Sequence, residues 1–312
     1  MQYKNHLSEF KKWDQKEHAE EWLLFPENIG SKVSIDETSL TNGELYTIIT
    51  NKQAKGRKGA IIAMVEGIKS VDISRVLNKI PLKRRELVEE VTLDMSNSMD
   101  AAVRESFPKA AIVTDRFHVQ QLVSEAVQES RMVFRRKSIK EENEAIKKIR
   151  EKNRKDKKGK RKYYVPEIYE NGDTKKQLLA RSRYLLFKPM SKWYEQQKTR
   201  STILFREFPK LEKAYELSMM FRSIYEHSKT IEEAREGLNK WYEKIEEKKI
   251  ESFLLPAETI SLHETTILNY FVNRSTNASA ESFNAKLKGF RAVVRGVRDK
   301  KFFLFRIIKL YG

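Results

Sequence analysis

The sequence predicts an α/β fold: a mixed β-sheet covered by helices and interrupted by a mostly α-helical insertion. Three observations predict it. Between residues 31 and 65, short apolar runs alternate with turn-forming residues, the texture of an antiparallel meander. From 71 to 130, helical and strand patterns alternate, as they do where strands run parallel under covering helices. From 131 to 262 the chain is basic and helix-rich.

Residues 1–30 are polar with scattered aromatics, Phe10, Trp13, Trp22 and Phe25, and read as a helical lead-in ending near Pro26. Residues 33–35, 45–50 and 60–65 read as three strands. Asn42-Gly43 and Gly56-Arg57-Lys58-Gly59 mark the turns between them. The second of these also matches the backbone-binding loop of RNA-binding KH domains, but the element order favours a hairpin turn. Residues 71–80 carry Ile73, Val76, Leu77 and Ile80 at helical spacing, and Pro81 stops that helix. A fourth strand follows over 88–93, then a helix over 99–107 closed by Pro108, with Ser96 available as its cap. Residues 111–114 form a fifth strand, and a long helical pattern runs on from Phe117.

This order is that of a ribonuclease-H-like core. In such a sheet the first and fourth strands are neighbours, an analogy that brings Asp36 and Asp94 together near its centre. The division expected is a lead-in (1–30), the first part of the core (31–130), an insertion (131–262) and the last part of the core with a basic tail (263–312).

Residues 131–162 hold 16 Lys+Arg against 5 Asp+Glu, densest at Lys157-Lys158-Gly159-Lys160-Arg161-Lys162. Two readings stay open here: a solvated, partly disordered loop, or an arm that contacts a DNA backbone. Asn171-Gly172-Asp173 is a turn. Leu178, Leu179, Leu185, Leu186, Trp193, Leu211, Tyr215 and Trp241 sit at core-like positions in helical sequence.

With 312 residues and 39% apolar content, the chain can bury a large core. Its 62 Lys+Arg against 44 Asp+Glu leave a net charge of +18, which favours a polyanionic partner, nucleic acid first. The absence of cysteine excludes disulfides and thiolate zinc sites. No apolar run approaches the ~20 residues of a membrane span. The N-terminus does not read as a signal peptide, so the expected compartment is the cytoplasm, in association with the nucleoid.

Three acids stand where metal-dependent phosphoryl transfer would use them. Asp36 and Asp94 each follow a strand pattern, and Glu281 opens an amphipathic helix far downstream. Carboxylates so presented can hold two Mg²⁺ ions roughly 3.5–4 Å apart. On the last helix Phe283, Leu287 and Phe290 form the buried stripe, while Glu281, Asn284, Ala285 and Lys288 fall on a polar one. Residues 286–309 then carry nine Lys+Arg and one acid, Asp299, interleaved with Phe290, Phe302, Phe303 and Phe305. Arg291, Arg295 and Arg298 are its candidates for phosphate contact. Asp115-Arg116-Phe117-His118 forms a second constellation, in which His118 could assist the site or bind a scissile phosphate. Asp115 rivals Asp94 as second metal ligand; Asp94 is preferred because its strand neighbours the first. Taken singly, each acid is more often a salt-bridged or capping residue, and a lone His more often caps or packs.

Leu93-Asp94-Met95-Ser96, Ile112-Val113-Thr114-Asp115-Arg116-Phe117-His118-Val119 and the run from Asn273-Arg274-Ser275-Thr276-Asn277 through Glu281-Ser282-Phe283-Asn284-Ala285-Lys286-Leu287-Lys288 resemble the DDE transposases of bacterial insertion sequences. The likeness is to the ISL-three family, ISAon type, and covers nearly the whole chain. It implies a ribonuclease-H-like catalytic core, a triad of Asp36, Asp94 and Glu281, and Mg²⁺ (with Mn²⁺ able to substitute) for DNA cleavage at element ends and strand transfer into target DNA. It also implies a homo-oligomer on DNA. Longer relatives carry an N-terminal zinc-binding and helix-turn-helix region, so recognition of element ends is expected to need a separately encoded polypeptide or a fused product. The competing readings are a nuclease of the same fold that cuts without joining, and a non-catalytic or partner-dependent DNA-binding protein.

Overall fold

The computed structural model describes residues 4, 8–41, 44–155, 160–294 and 298–312. They fall into two units, Met1–Val119 with His263–Gly312, and Gln120–Leu262. The strands are β1 (Trp22–Leu24), β2 (Lys32–Thr41), β3 (Glu44–Asn51), β4 (Ile61–Glu66), β5 (Glu90–Leu93) and β6 (Ala111–Thr114). Between strands lie α1 (Ser70–Leu77), α2 (Leu82–Arg85) and α3 (Asn97–Ser106). After β6 come α4 (Arg116–Lys155), α5 (Lys175–Arg181), α6 (Glu195–Glu207), α7 (Pro209–His227), α8 (Ile231–Lys248) and α9 (Leu254–Leu262). The chain closes with α10 (Glu264–Leu268), α11 (Tyr270–Asn273), α12 (Ala278–Val293) and α13 (Lys300–Tyr311).

The first unit is built on one mixed sheet, in the order β1-β4-β3-β2-β5-β6. β2, β3 and β4 form the expected antiparallel meander, while β5 and β6 run parallel to β2. Val33 lies beside Val91 and Ser34 beside Thr92, so the strands before Asp36 and Asp94 are neighbours. Side chains alternate between faces along a strand. Val33, Ile35, Ile49, Val91 and Leu93 point to one face and pack against Val76 and Leu77 of α1, Val103 of α3 and Phe107, which follows α3. Ile48 points to the other face, where Phe283 and Leu287 of α12 and Phe303 and Ile307 of α13 cover it. Ser96 caps α3, its Oγ accepting the Met99 N–H at 3.4 Å. In the β3–β4 connection, Gly56 and Gly59 take the left-handed φ values of 66° and 80°, which fits the turn reading of that segment.

Three local readings differ from the structure. Between residues 8 and 30 the lead-in holds two short 3-10 turns (Glu9–Lys12 and Pro26–Asn28) rather than an α-helix; Trp22–Leu24 is an edge strand, with Trp22 opposite Val65. The open edge of β4 decides this, since pairing there buries Leu23 completely. The strand read at 33–35 extends to Thr41, because β3 pairs along its whole length even though β5 pairs no further than Ser34. Residues 131–155 are helix rather than loop; no Gly or Pro occurs between 116 and 155 to end α4. Asn42, Gly43, Lys157, Lys158, Gly159 and Arg295, all singled out in the sequence, lie outside the described residues.

The second unit is helical. Its eight expected core residues, Leu178 to Trp241, are all buried. Buried indoles need a partner for their N–H: Trp193 donates to Leu185 O at 2.8 Å and Trp241 to Leu217 O at 2.9 Å. Asp173, fully buried after the Gly172 turn, receives Arg181 and also Arg200 Nε at 2.9 Å. Burial pushes its carboxyl up, but the hydrogen bonds from Arg200 and Arg181 outweigh this and hold it below the usual carboxylate range. Asp173→Asn should therefore cost about 2–3 kcal/mol in a denaturant titration of the full chain, less than a fully buried pair because Arg181 is half exposed. A depressed carboxyl contributes stability above its unfolded pKa of about 4 and loses it as the pH falls through the folded value. The wild type should thus lose more stability than the variant on acidification; equal losses would count against the ion-pair account.

Candidate active site

In open sheets, ligand crevices form outside the carboxyl ends of parallel strands. β5 and β6 are paired through Leu93 and Thr114, and the next residues are Asp94 and Asp115. On the adjoining strand, Asp36 lies two residues past Ser34, the last position paired with β5. It sits mid-strand opposite Ile48, on the face that α12 covers.

The side chains are held by hydrogen bonds from distant segments. Asp36 Oδ1 accepts the Glu37 N–H at 2.8 Å, and its Oδ2 accepts Asn284 Nδ2 at 2.7 Å. Asp115, 1% exposed, accepts the Asn277 N–H on Oδ1 at 2.9 Å. Asn277 Nδ2 in turn donates to Ile35 O at 3.3 Å, tying the start of α12 to β2. His118 Nδ1 lies 3.3 Å from Asp115 Oδ2, but the two are not aligned as a hydrogen bond. Asp94 Oδ1, Asp115 Oδ2 and His118 Nδ1 are all buried and make no hydrogen bond. Buried polar atoms of this kind call for a missing partner.

The electrostatics point the same way. Burial is the largest influence on Asp36, Asp94 and Glu281, and it raises all three carboxyls. Neighbouring acids add to it: Asp94 acts on Asp36, Asp115 on Asp94, and both Asp115 and Asp36 on Glu281. His118 supplies positive charge to each of the three. The Asp115 carboxylate beside it raises the His118 imidazole.

Asp115, His118 and Glu281 can bring one ligand atom each within 4.8 Å of one another, a spacing that could hold a metal ion. Asp36 and Asp94 are coupled to this group electrostatically but are not part of that close set. Asp115 and His118, read as a rival ligand and an assistant, thus stand at the centre of the cluster. Asn284 is buried and bound to Asp36, not exposed on a solvated stripe. Lys288 is exposed two turns beyond Glu281. The Arg291 guanidinium lies over the Phe303 ring at 4.7 Å, and Arg298 is exposed. Lys160, Arg161 and Lys162 belong to the other unit; Lys162 bonds through its backbone to Asn153 at 2.7 and 3.1 Å. Asn277 is the site residue that local patterns give no reason to choose, because its partners are 162 and 242 residues away.

Carboxylates with unsatisfied oxygens, gathered around one imidazole, fit a divalent cation that takes hard oxygen ligands, such as Mg²⁺ or Mn²⁺. A family model described as a transposase, that of the ISL-three DDE group, matches residues 33–307. No curated protein and no solved structure matches the chain.

Proposed function

The chain belongs to the ISL-three family of transposases, and from that premise we propose that it cleaves DNA at insertion-sequence ends and joins the freed 3′-hydroxyls to target DNA, with Mg²⁺ held by Asp36, Asp94 and Glu281. The observation that carries the reading is the close approach of ligand atoms of Asp115, His118 and Glu281, with Asp94, whose buried Oδ1 makes no hydrogen bond, coupled to Asp115 and His118 electrostatically. We read the first unit as a ribonuclease-H-like core and residues 131–262, which lie within the second unit, as its insertion, on the strength of the strand and helix order. The run from residue 273 to 288 supports the ISAon type.

Asp36, Asp94 and Glu281 would hold the divalent ions, which would supply activation of the attacking hydroxyl and charge balance at the leaving oxygen. The chain's own residues prepare for this. Asn284 and the Glu37 N–H fix the Asp36 carboxylate in one orientation. Asn277 takes one oxygen of Asp115 and leaves the other turned toward His118 and Glu281. His118, raised by Asp115, keeps its proton to higher pH than a free imidazole and can give a charge-assisted hydrogen bond to a phosphate oxygen.

The basic residues of α4 suit the backbone of duplex DNA. Arg136, Lys140, Asn143, Lys147, Arg150 and Arg154 recur at intervals of four and three, forming one exposed stripe. It runs for about 27 Å at 1.5 Å per residue. The acids Glu141 and Glu142 leave this stripe and pair with Lys175 and Lys176 of α5, at 3.2 and 2.6 Å. Replacing the five cations by Gln should weaken binding of random duplex and lower the salt slope by about 0.9 for each phosphate that is no longer neutralised. An unchanged slope in fluorescence anisotropy would remove the stripe from the DNA-binding surface.

End recognition is assigned to a separately encoded or fused N-terminal polypeptide, and action on paired ends to a homo-oligomer. Among the described residues, no helix is long and apolar enough to cross a membrane. The decisive assay combines the chain and its recognition partner with Mg²⁺, a duplex carrying element ends, and a target plasmid. End-joined products are expected. Cut ends without joining would favour the nuclease reading, and bound but uncut DNA the non-catalytic one.

A further inference from the structure

We propose that Lys52, Glu90 and Asn273 form a latch that positions Glu281 for metal binding; this rests on the metal site read above. Lys52 directly follows β3, and its backbone is fixed. Asn51 Nδ2 donates to Asn28 O and Asn51 Oδ1 accepts the Gln53 N–H, both at 2.9 Å. The Lys52 side chain then turns inward: it is 13% exposed, and Glu90 is 4% exposed. Lys52 Nζ lies 3.4 Å from Glu90 Oε1 and donates to Thr92 Oγ1 at 2.8 Å. Glu90 and Thr92 share a face of β5, the one that also carries Ser34 and Asp36 on β2.

A buried ion pair is a poor source of stability compared with apolar packing. This one, however, has a second connection. Glu90 Oε2 accepts Asn273 Nδ2 at 3.3 Å, across 183 residues of sequence. Asn273 ends α11, and Arg274 after it takes a left-handed φ of 54°. Four residues beyond Asn273, Asn277 is tied to Asp115 and Ile35. The connector into α12 is therefore pinned at both ends, by β5 at residue 273 and by β6 and β2 at residue 277. Glu281 follows Asn277 by about one helical turn. It makes no side-chain hydrogen bond among the described residues, so the placement of α12 sets the position of its carboxylate. Glu90 anchors that placement, and Lys52, bonded to its other carboxylate oxygen, holds Glu90 aimed at Asn273.

The test is Mn²⁺ binding to the full chain by calorimetry, with metal-free thermal melts run beside it. Asn273→Ala, which leaves the ion pair intact, should weaken Mn²⁺ binding about tenfold, the lower end of what outer-shell partners of metal ligands contribute. Lys52→Met with Glu90→Leu removes both charges and the acceptor and should weaken it equally. Lys52→Met with Glu90→Gln keeps an acceptor for Asn273 and should bind within about twofold of wild type, even if it melts at the same temperature as the Leu version. Wild-type binding in all three variants would overturn the latch while leaving the metal site standing. Equal weakening in the Gln and Leu versions would also overturn it, by reducing the ion pair to a structural role. A wild type that binds no Mn²⁺ would overturn the metal site and the latch together.

Discussion

Glu281→Gln is expected to abolish metal-dependent DNA cleavage, by roughly 10³-fold or more, while leaving DNA binding unchanged. Gln keeps the size of the side chain and removes its charge. The residue is exposed at the start of α12 and its side chain makes no hydrogen bond among the described residues, so the fold should not notice the change. Its carboxylate can approach Asp115 and His118 to within metal-binding distance. Metal ions contribute several kcal/mol to charge stabilisation in such reactions, and about 4 kcal/mol corresponds to roughly 10³ in rate. Cleavage of an end-bearing duplex, measured in Mg²⁺ and in Mn²⁺, reads the first quantity; anisotropy on the same duplex reads the second. Cleavage at the wild-type rate would sink the assignment of Glu281. Loss of binding in parallel with cleavage would mean instead that the residue serves DNA contact.

Asp94→Asn should raise the melting temperature of the metal-free chain and remove the stabilisation that Mg²⁺ gives to the wild type. Burial raises the carboxyls of Asp36, Asp94 and Glu281 above their ordinary range. For a group whose folded pKa exceeds its unfolded one, the stability contributed is present at low pH and is lost as the pH rises through the folded value. At neutral pH, then, these three charges oppose folding, and Asn removes one of them. A gain of about 1 kcal/mol would appear as roughly 2–4 °C for a domain of this size. Mg²⁺ at a hundred times its dissociation constant would add about 2.7 kcal/mol to the wild type. The variant, lacking a ligand whose Oδ1 is buried and partnerless, should show little of that gain. An Mg²⁺ shift in Asp94→Asn equal to that of the wild type would remove Asp94 from the metal site. Repeating the melts at falling pH should narrow the difference between the metal-free proteins, as the wild-type carboxyls take up protons.

Local chemistry made much of this protein legible. Short apolar runs bounded by turn residues mark β3 and β4, the helical spacing of Ile73, Val76 and Leu77 marks α1, and Pro81 and Pro108 mark where helices stop. The burial of Tyr215 and Trp241 follows from helical periodicity alone. Those signals depend only on neighbours within a turn or a pleat, which is why a single sequence carries them. The edge strand at Trp22–Leu24 depends instead on an open side of β4, and the length of β2 on its pairing with β3. The candidate acids could be named from their motifs, but the group they form could not. Asp115 and His118 are drawn to Glu281 only when β6 and α12 meet. Asn277 and Asn284 reach Asp115 and Asp36 across 162 and 248 residues, and Glu90 reaches Asn273 across 183. Periodicity determines which face of an element is buried; only the packed sheet and its covering helices decide which polar side chains meet there, because hydrogen bonds and charge interactions act over a few ångströms of space whatever the distance along the chain.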